Sequence, residues 1–340
     1  MLSEHVSLRD LNTLRLSASA TALRSPDTID GLRTTLDEAR RNNLPLIVLG
    51  EGSNVVLAGD LDALVLRYRG MGRQVLRVDE EQVTLRIGAG ENWHAVTIWT
   101  LEQGYYGLEN LALIPGSVGA APVQNIGAYG VELSQFVDRV GIVHLDSGEL
   151  EMLSSADCEF GYRDSVFKGR LRDRCLITSV DLTLRRRDTP EASYTALAAY
   201  LDDRERSITA QAVFDAVVAL RRARLPDPHV TPNAGSFFKN PVVTQERAQL
   251  LLRQYPLLPV FALGDARAKL PAGWLIEACG WKGYSANGVG VHAAHALVVV
   301  NQGADTGTAV LELAARIQAS VRLRFGCELE IEPRIYGVAA

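Results

Sequence analysis

The chain has 340 residues, 47% of them apolar and 22% charged, with a net charge of −5. This length suits two or three domains, and this composition suits a globular protein with a filled core rather than a disordered chain. The mild negative charge and the lack of any long Lys/Arg run exclude a nucleic-acid binder that works through a basic surface.

In chain order, Ser25-Pro26-Asp27 opens a helical pattern carrying Ile29, Leu32 and Leu36. It is expected to end near Asn42-Asn43, before Pro45. Leu46 to Leu49 reads as a buried strand running into Gly50-Glu51-Gly52-Ser53-Asn54, and residues 62–67 and 83–88 read as further strands. A helix with Trp93, Val96 and Leu101 on one face ends at Gly104. Residues 107–130 carry five glycines and little periodicity. Ordering such a stretch costs backbone entropy, which a ligand held close to the backbone would justify. Strands return at 139–145 and 175–185, and an amphipathic helix after Ser207 and Thr209 presents Val213, Val217 and Leu220. Arg185-Arg186-Arg187 and Arg221-Arg222-Ala223-Arg224 read as solvated element ends. Short elements follow Pro226-Asp227-Pro228, and a last helix over about 308–325 stops at Gly326. Boundaries near residues 70 and 225 divide the chain into 1–70, 71–224 and 225–340.

Cys158, Cys175, Cys279 and Cys327 stand far apart with no Cys-x-x-Cys spacing, which points to a reducing compartment rather than to zinc or a disulfide framework. His292 and His295 lack a third ligand candidate, so no metal is expected. The N-terminus holds no apolar run of signal-peptide type, and Ala296–Val300 is far too short to span a bilayer. A soluble, cytoplasmic protein without membrane contact is expected.

Five segments bear groups suited to chemistry. Gly50-Glu51-Gly52-Ser53-Asn54 follows a strand and offers backbone N–H groups to a phosphate, but Val55 stands where a dinucleotide fingerprint needs a third glycine. Ile114-Pro115-Gly116-Ser117-Val118-Gly119 and Gln124-Asn125-Ile126-Gly127-Ala128 form a second phosphate-friendly region. In Phe160-Gly161-Tyr162-Arg163-Asp164, Arg163 offers a planar fork to a carboxylate or else an exposed ion pair with Asp164. Asn233 to Pro241 (Asn-Ala-Gly-Ser-Phe-Phe-Lys-Asn-Pro) sets Ser236, Lys239 and Asn240 around Phe237 and Phe238, which can wall off water. Finally, Leu329-Glu330-Ile331-Glu332-Pro333-Arg334 alternates, with both glutamates on one strand face.

In this order and spacing, from Leu11-Asn12-Thr13 to the C-terminus, the segments closely resemble the UDP-N-acetylenolpyruvoylglucosamine reductases, flavoenzymes of peptidoglycan precursor synthesis. The resemblance implies an α+β fold. A vanillyl-alcohol-oxidase-like (PCMH-type) pair of subdomains would hold FAD, and a C-terminal α+β domain would bind substrate. It implies FAD contacts at Gly50, Glu51, Gly52, Ser53, Asn54, Pro115, Gly116, Ser117, Gly119, Asn125, Gly127 and Ala128. No histidine stands in those glycine-rich loops, so non-covalent FAD is expected, with NADPH as hydride donor.

Hydride addition to the enolpyruvyl group leaves negative charge on its C2 and carboxylate. Arg163 is suited to stabilise that charge, Glu332 would share the task as a protonated donor, and Ser236 matches the family's proton donor, with help from Lys239 or another neighbour. The resemblance implies substrate contacts at Tyr162, Tyr194, Arg224, Lys239, Asn240 and His295, with Tyr194 suggesting the subtype in which a tyrosine loop covers the sugar nucleotide. The chain departs from the family pattern at Arg224 (lysine is usual), His295 (glutamine in related chains) and Phe261 (tyrosine in some). A monomer acting on a small sugar nucleotide is expected. Two other readings remain: a flavin oxidase of the same superfamily acting on a sugar or alcohol, and an inactive sugar-nucleotide-binding protein.

Overall fold

The computed structural model describes residues 4–202, 208–264 and 266–338. Ser207, expected to open a helix, lies outside the described residues. The chain divides into two compact units. One comprises residues 1–6, 20–51 and 62–223, and the other residues 7–19, 52–61 and 224–340.

The first unit is built on two sheets. In a four-stranded sheet ordered Val6–Ser7, Ser19–Arg24, Leu61–Leu66, Leu46–Val48, the last two strands run parallel. The Ile29–Arg41 helix covers this sheet with Leu32, Leu36 and Ala39 against Ala22, Leu64 and Leu66. Its start falls three residues later than the Pro26 signal suggests, because the Thr28 side chain accepts the Gly31 N–H as N-cap.

The second sheet has five antiparallel strands, in the order Leu150–Ser154, Val137–His144, Cys175–Arg185, Gln82–Gly88, Arg73–Val78. Val83, Leu85 and Ile87 point inward by strand alternation and are almost fully buried. On the other face Arg86 meets its cross-strand partner Asp181 in two 2.7 Å hydrogen bonds. The Trp93–Glu102 helix packs Trp93 and Val96 into the inner face. Burying each large side chain contributes roughly 1.5–3 kcal/mol relative to exposure. A satellite cluster joins the Thr195–Asp202 and Ala210–Arg224 helices through Leu197, Val213, Ala216 and Val217.

In the second unit, strands Asn233–Ser236, Val298–Asn301, Val289–Val291 and Ser285–Ala286 form one antiparallel sheet. A three-stranded sheet is ordered Val242–Thr244, Arg267–Lys269, Phe261–Leu263. The Gly307–Phe325 helix buries Val310, Leu313, Ile317 and Val321, and it ends at Gly326 with φ 61°, the left-handed cap expected there. The alternating strand expected from Leu329 to Tyr336 is realised in two pieces. Ile331 makes an isolated bridge to Phe238, and Arg334–Tyr336 pairs in parallel with Val55–Leu57. No described helix is long and apolar enough to cross a membrane.

Candidate functional site

The glycine-rich stretch of the first unit is held by the segment just before the Trp93–Glu102 helix. Gly119 N–H donates to the Ala89 carbonyl (2.9 Å), Val118 N–H to Glu91 (2.8 Å), and Trp93 N–H to Gly116 (3.0 Å). The Trp93 indole donates to the Leu111 carbonyl at 2.9 Å. Asn92 and Ser117 form the non-hydrogen-bonded pair of this ladder, so their own N–H groups point outward. Gly50 faces the same loop: a Cβ added there would lie 3.5 Å from Ser117 Oγ and 3.6 Å from the Ala120 Cβ. Glu51 Oε1 accepts from the Asn92 side chain at 3.3 Å. Two segments expected to serve phosphate are thus brought together, bordered by small residues.

Gly52, Ser53 and Asn54 belong to the second unit. Gly52 has φ 66°, and its missing side chain is replaced by chain: a Cβ would lie 2.0 Å from the Leu11 carbonyl oxygen. Thr13 N–H donates to the Gly52 carbonyl at 3.1 Å. Asn12 is buried and ties this N-terminal turn, donating to Leu8 (2.9 Å) and Leu16 (3.0 Å) and accepting from Leu16 N–H (2.9 Å).

Arg163 is the second residue of a two-residue turn closed by reciprocal Gly161–Asp164 backbone bonds, and its φ is 54°. A left-handed arginine is a strained choice, of the kind that clusters at functional positions. Its guanidinium donates to the Gly127 carbonyl at 2.6 Å and to Asn125 at 3.4 Å, and it lies 5.4 Å from the centre of the Tyr162 ring. Asn125 is itself left-handed and buried. Its amide donates to Glu132 (2.9 Å) and Gly161 (3.1 Å), so it couples the 125–128 loop to the arginine turn.

Tyr194, which opens the Thr195–Asp202 helix, is partly exposed and packs edge-on against Tyr129 at 5.6 Å. Two groups near it were missed or misread in the sequence. Asn110, fully buried, donates to the Tyr129 (3.0 Å) and Glu191 (2.9 Å) carbonyls. Arg221 corrects an expectation: Arg222 and Arg224 are solvated, but Arg221 is half-buried with its Nε sealed and unpartnered. Burial pushes its pKa down, Tyr129 raises it and Arg163 lowers it further. The signal was its place at i+4 from Val217 and i+8 from Val213, inside the apolar stripe. Arg185 departs in the same way, half-buried with Nη2 3.6 Å from buried Glu109. Burial raises the Glu109 pKa.

In the second unit, Ser236 ends the Asn233–Ser236 strand, and Phe237 and Phe238 behind it are core side chains at 0% and 1% exposure. The 237–239 segment pairs with 330–332, Glu332 N–H donating to Phe237 (2.9 Å) and Lys239 N–H to Glu330 (2.9 Å). This ladder brings Ser236 and Glu332 to neighbouring positions. It also assigns Lys239 a partner, Glu330, at 2.5 Å. Asn240 accepts the Ala272 N–H at 2.8 Å and anchors the Ala272–Ala278 helix. His295 Nδ1 accepts from Leu297 N–H at 3.3 Å. Burial pushes its pKa down, and Arg224, His292 and Lys282 push it in the same direction.

Residues 20–154 match an FAD-binding domain family, and residues 227–336 match the C-terminal domain of UDP-N-acetylenolpyruvoylglucosamine reductase. The chain is 48% identical over 329 residues to the UDP-N-acetylenolpyruvoylglucosamine reductase of Paraburkholderia phymatum, covering 96% of this chain and 95% of that one. It is 45% identical over 334 residues to that of Pseudomonas putida, covering 98% of each. The crystal structure of the reductase from Thermus caldophilus superposes with a TM-score of 0.67 over 98% of both chains at 24% identity, which speaks for the fold. With its PCMH-type FAD-binding domain and its reductase C-terminal domain, the chain belongs to the UDP-N-acetylenolpyruvoylglucosamine reductase family.

Proposed function

We propose that Arg163, Ser236 and Glu332 carry the reaction of this reductase, which uses FAD and NADPH to convert UDP-N-acetylglucosamine enolpyruvate to UDP-N-acetylmuramate in peptidoglycan precursor synthesis. The observation that carries the assignment is the strained Arg163 turn, whose guanidinium is fixed on glycine-loop carbonyls 2.6 and 3.4 Å away.

The first unit's loops fit FAD on an observation independent of the family. Gly50, Ser117 and Ala120 border a space that any longer side chain at position 50 would fill, and Ser117 turns its N–H outward. Gly50, Glu51, Pro115, Gly116, Ser117, Gly119, Asn125, Gly127 and Ala128 would hold the cofactor non-covalently, with Gly52, Ser53 and Asn54 continuing the first loop. When bound, FAD accepts a hydride from NADPH and supplies it to C3 of the enolpyruvyl group.

Negative charge then develops at C2 and on the substrate carboxylate. Arg163, always cationic and preset by backbone acceptors, pairs with that carboxylate at little reorganisation cost. Ser236 Oγ delivers the proton to C2, and Glu332, one ladder position away, orients the carboxylate. Lys239 is engaged by Glu330, so its help to Ser236 is through local field rather than direct proton relay. Tyr162, Tyr194, Arg224, Lys239, Asn240 and His295 serve the sugar nucleotide, with the tyrosine at 194 as the covering loop. A cytoplasmic monomer suits this reaction.

Anaerobic flavin absorbance tests the assignment. Ser236→Ala is expected to bleach with NADPH at the wild-type rate but to recover its colour on substrate addition at least a hundredfold more slowly, the range of general-acid effects. Equal slowing of both phases would remove Ser236 from the proton-donor role.

A further inference from the structure

The ladder that holds residues 111–119 has one rung that can titrate. His94, the second residue of the Trp93–Glu102 helix, accepts the Leu113 N–H on its Nδ1 at 3.0 Å. The other rungs are backbone bonds and the Trp93 indole. Leu113 is where the chain most needs a rung, because its φ of 58° places a bulky residue in the left-handed region. Immediately beyond it come Ile114, Pro115, Gly116 and Ser117. An acceptor at Nδ1 requires the tautomer with its proton on Nε2, and a doubly protonated ring has no acceptor to offer.

The ring's surroundings keep it in that form. It is half-buried and stacks on Phe214 of the Ala210–Arg224 helix at 5.7 Å and 7° between planes. The charged groups facing it, Arg222 and Arg221, come from the same helix. Burial first, then these two arginines, pushes its pKa below the ordinary 6.5.

We infer that His94 is a positioning residue for the flavin, whose neutral imidazole locks the left-handed Leu113 turn so that residues 115–119 are presented to the cofactor. Protonation removes the lock. The sign follows from the direction of the shift. The folded protein favours the neutral ring, so the lock is complete above the ordinary histidine range and is lost as pH falls through the lowered value. This inference rests on the proposed reading of residues 115–119 as flavin contacts.

The test compares wild type, His94→Ala and His94→Asn, whose amide oxygen replaces Nδ1 with an acceptor that does not titrate. FAD dissociation constants of the apo-proteins are measured by fluorescence from pH 5 to 8, with hydrogen exchange of segment 111–119 with and without FAD. At pH 7.5, His94→Ala is expected to bind FAD about tenfold more weakly and to exchange the Leu113 amide faster, in line with one lost hydrogen bond to a partly buried donor. Wild type should drift toward the alanine value as pH falls through the lowered histidine value, whereas His94→Asn should stay near the neutral wild-type value throughout. If His94→Ala does not fold, the contrast between wild type and His94→Asn across pH decides the matter. Parallel pH profiles in wild type and His94→Asn, or an unchanged FAD affinity in His94→Ala while FAD protects the loop, would overturn the inference. Failure of FAD to protect residues 115–119 in wild type would instead overturn the reading of the loop.

Discussion

Gly50 and Gly52 stand two residues apart in one motif, yet their side chains are missing for different reasons. At Gly50 the space left open is external: it faces Ser117 and Ala120 at ordinary contact distance, and a ligand can use it. At Gly52 the space is taken by the protein itself, with the Leu11 carbonyl where a Cβ would sit and a left-handed φ besides. A glycine-rich loop is therefore not a uniform ligand signal. Each glycine answers to whatever lies against its α-carbon.

Substitutions can break this contrast or sharpen it. Gly52→Ala is expected to have the largest effect, destabilising the apo-protein by on the order of 4 kcal/mol from backbone strain and overpacking together, read as a fall in urea midpoint. Asn12→Ala comes next. Removing a buried amide with partners on Leu8 and Leu16 should cost about 2–3 kcal/mol in the same measurement and act through the turn that Gly52 packs on. Gly50→Ala should shift stability by no more than about 0.5 kcal/mol, since its new methyl meets only ordinary contacts. Its effect should instead be a weaker FAD affinity, read by flavin fluorescence. Equal stability losses for Gly50→Ala and Gly52→Ala would erase the contrast.

Much of the frame was legible from local pattern. Leu32 and Leu36 placed the first long helix, Gly326 ended the last one, and alternation over 83–88 exposed a half-buried strand, because in each the signal is a periodic choice between core and solvent. The Arg73–Val78 strand was invisible for the opposite reason: all six residues are exposed, so neither face carries a mark. Of the candidate site, the residue types of Arg163, Ser236 and the glycine loops stood out, but their supports did not. Glu109, Asn110 and His94 act on residues two to more than eighty positions away, and the 107–130 stretch has no period to show which side chains turn inward. Arg221 was misread because a basic cluster at a helix end outweighed its position in the apolar stripe.

The parallel pairing of Val55–Leu57 with Arg334–Tyr336 has a consequence for the protein's birth. A strand made early in translation waits for a partner 279 positions further along the chain. Its backbone groups on that edge stay unsatisfied on the ribosome, and so long a loop closes slowly. The second unit is thus completed only once that distant strand has emerged, and until then the Val55–Leu57 edge stays open to chaperones or aggregation.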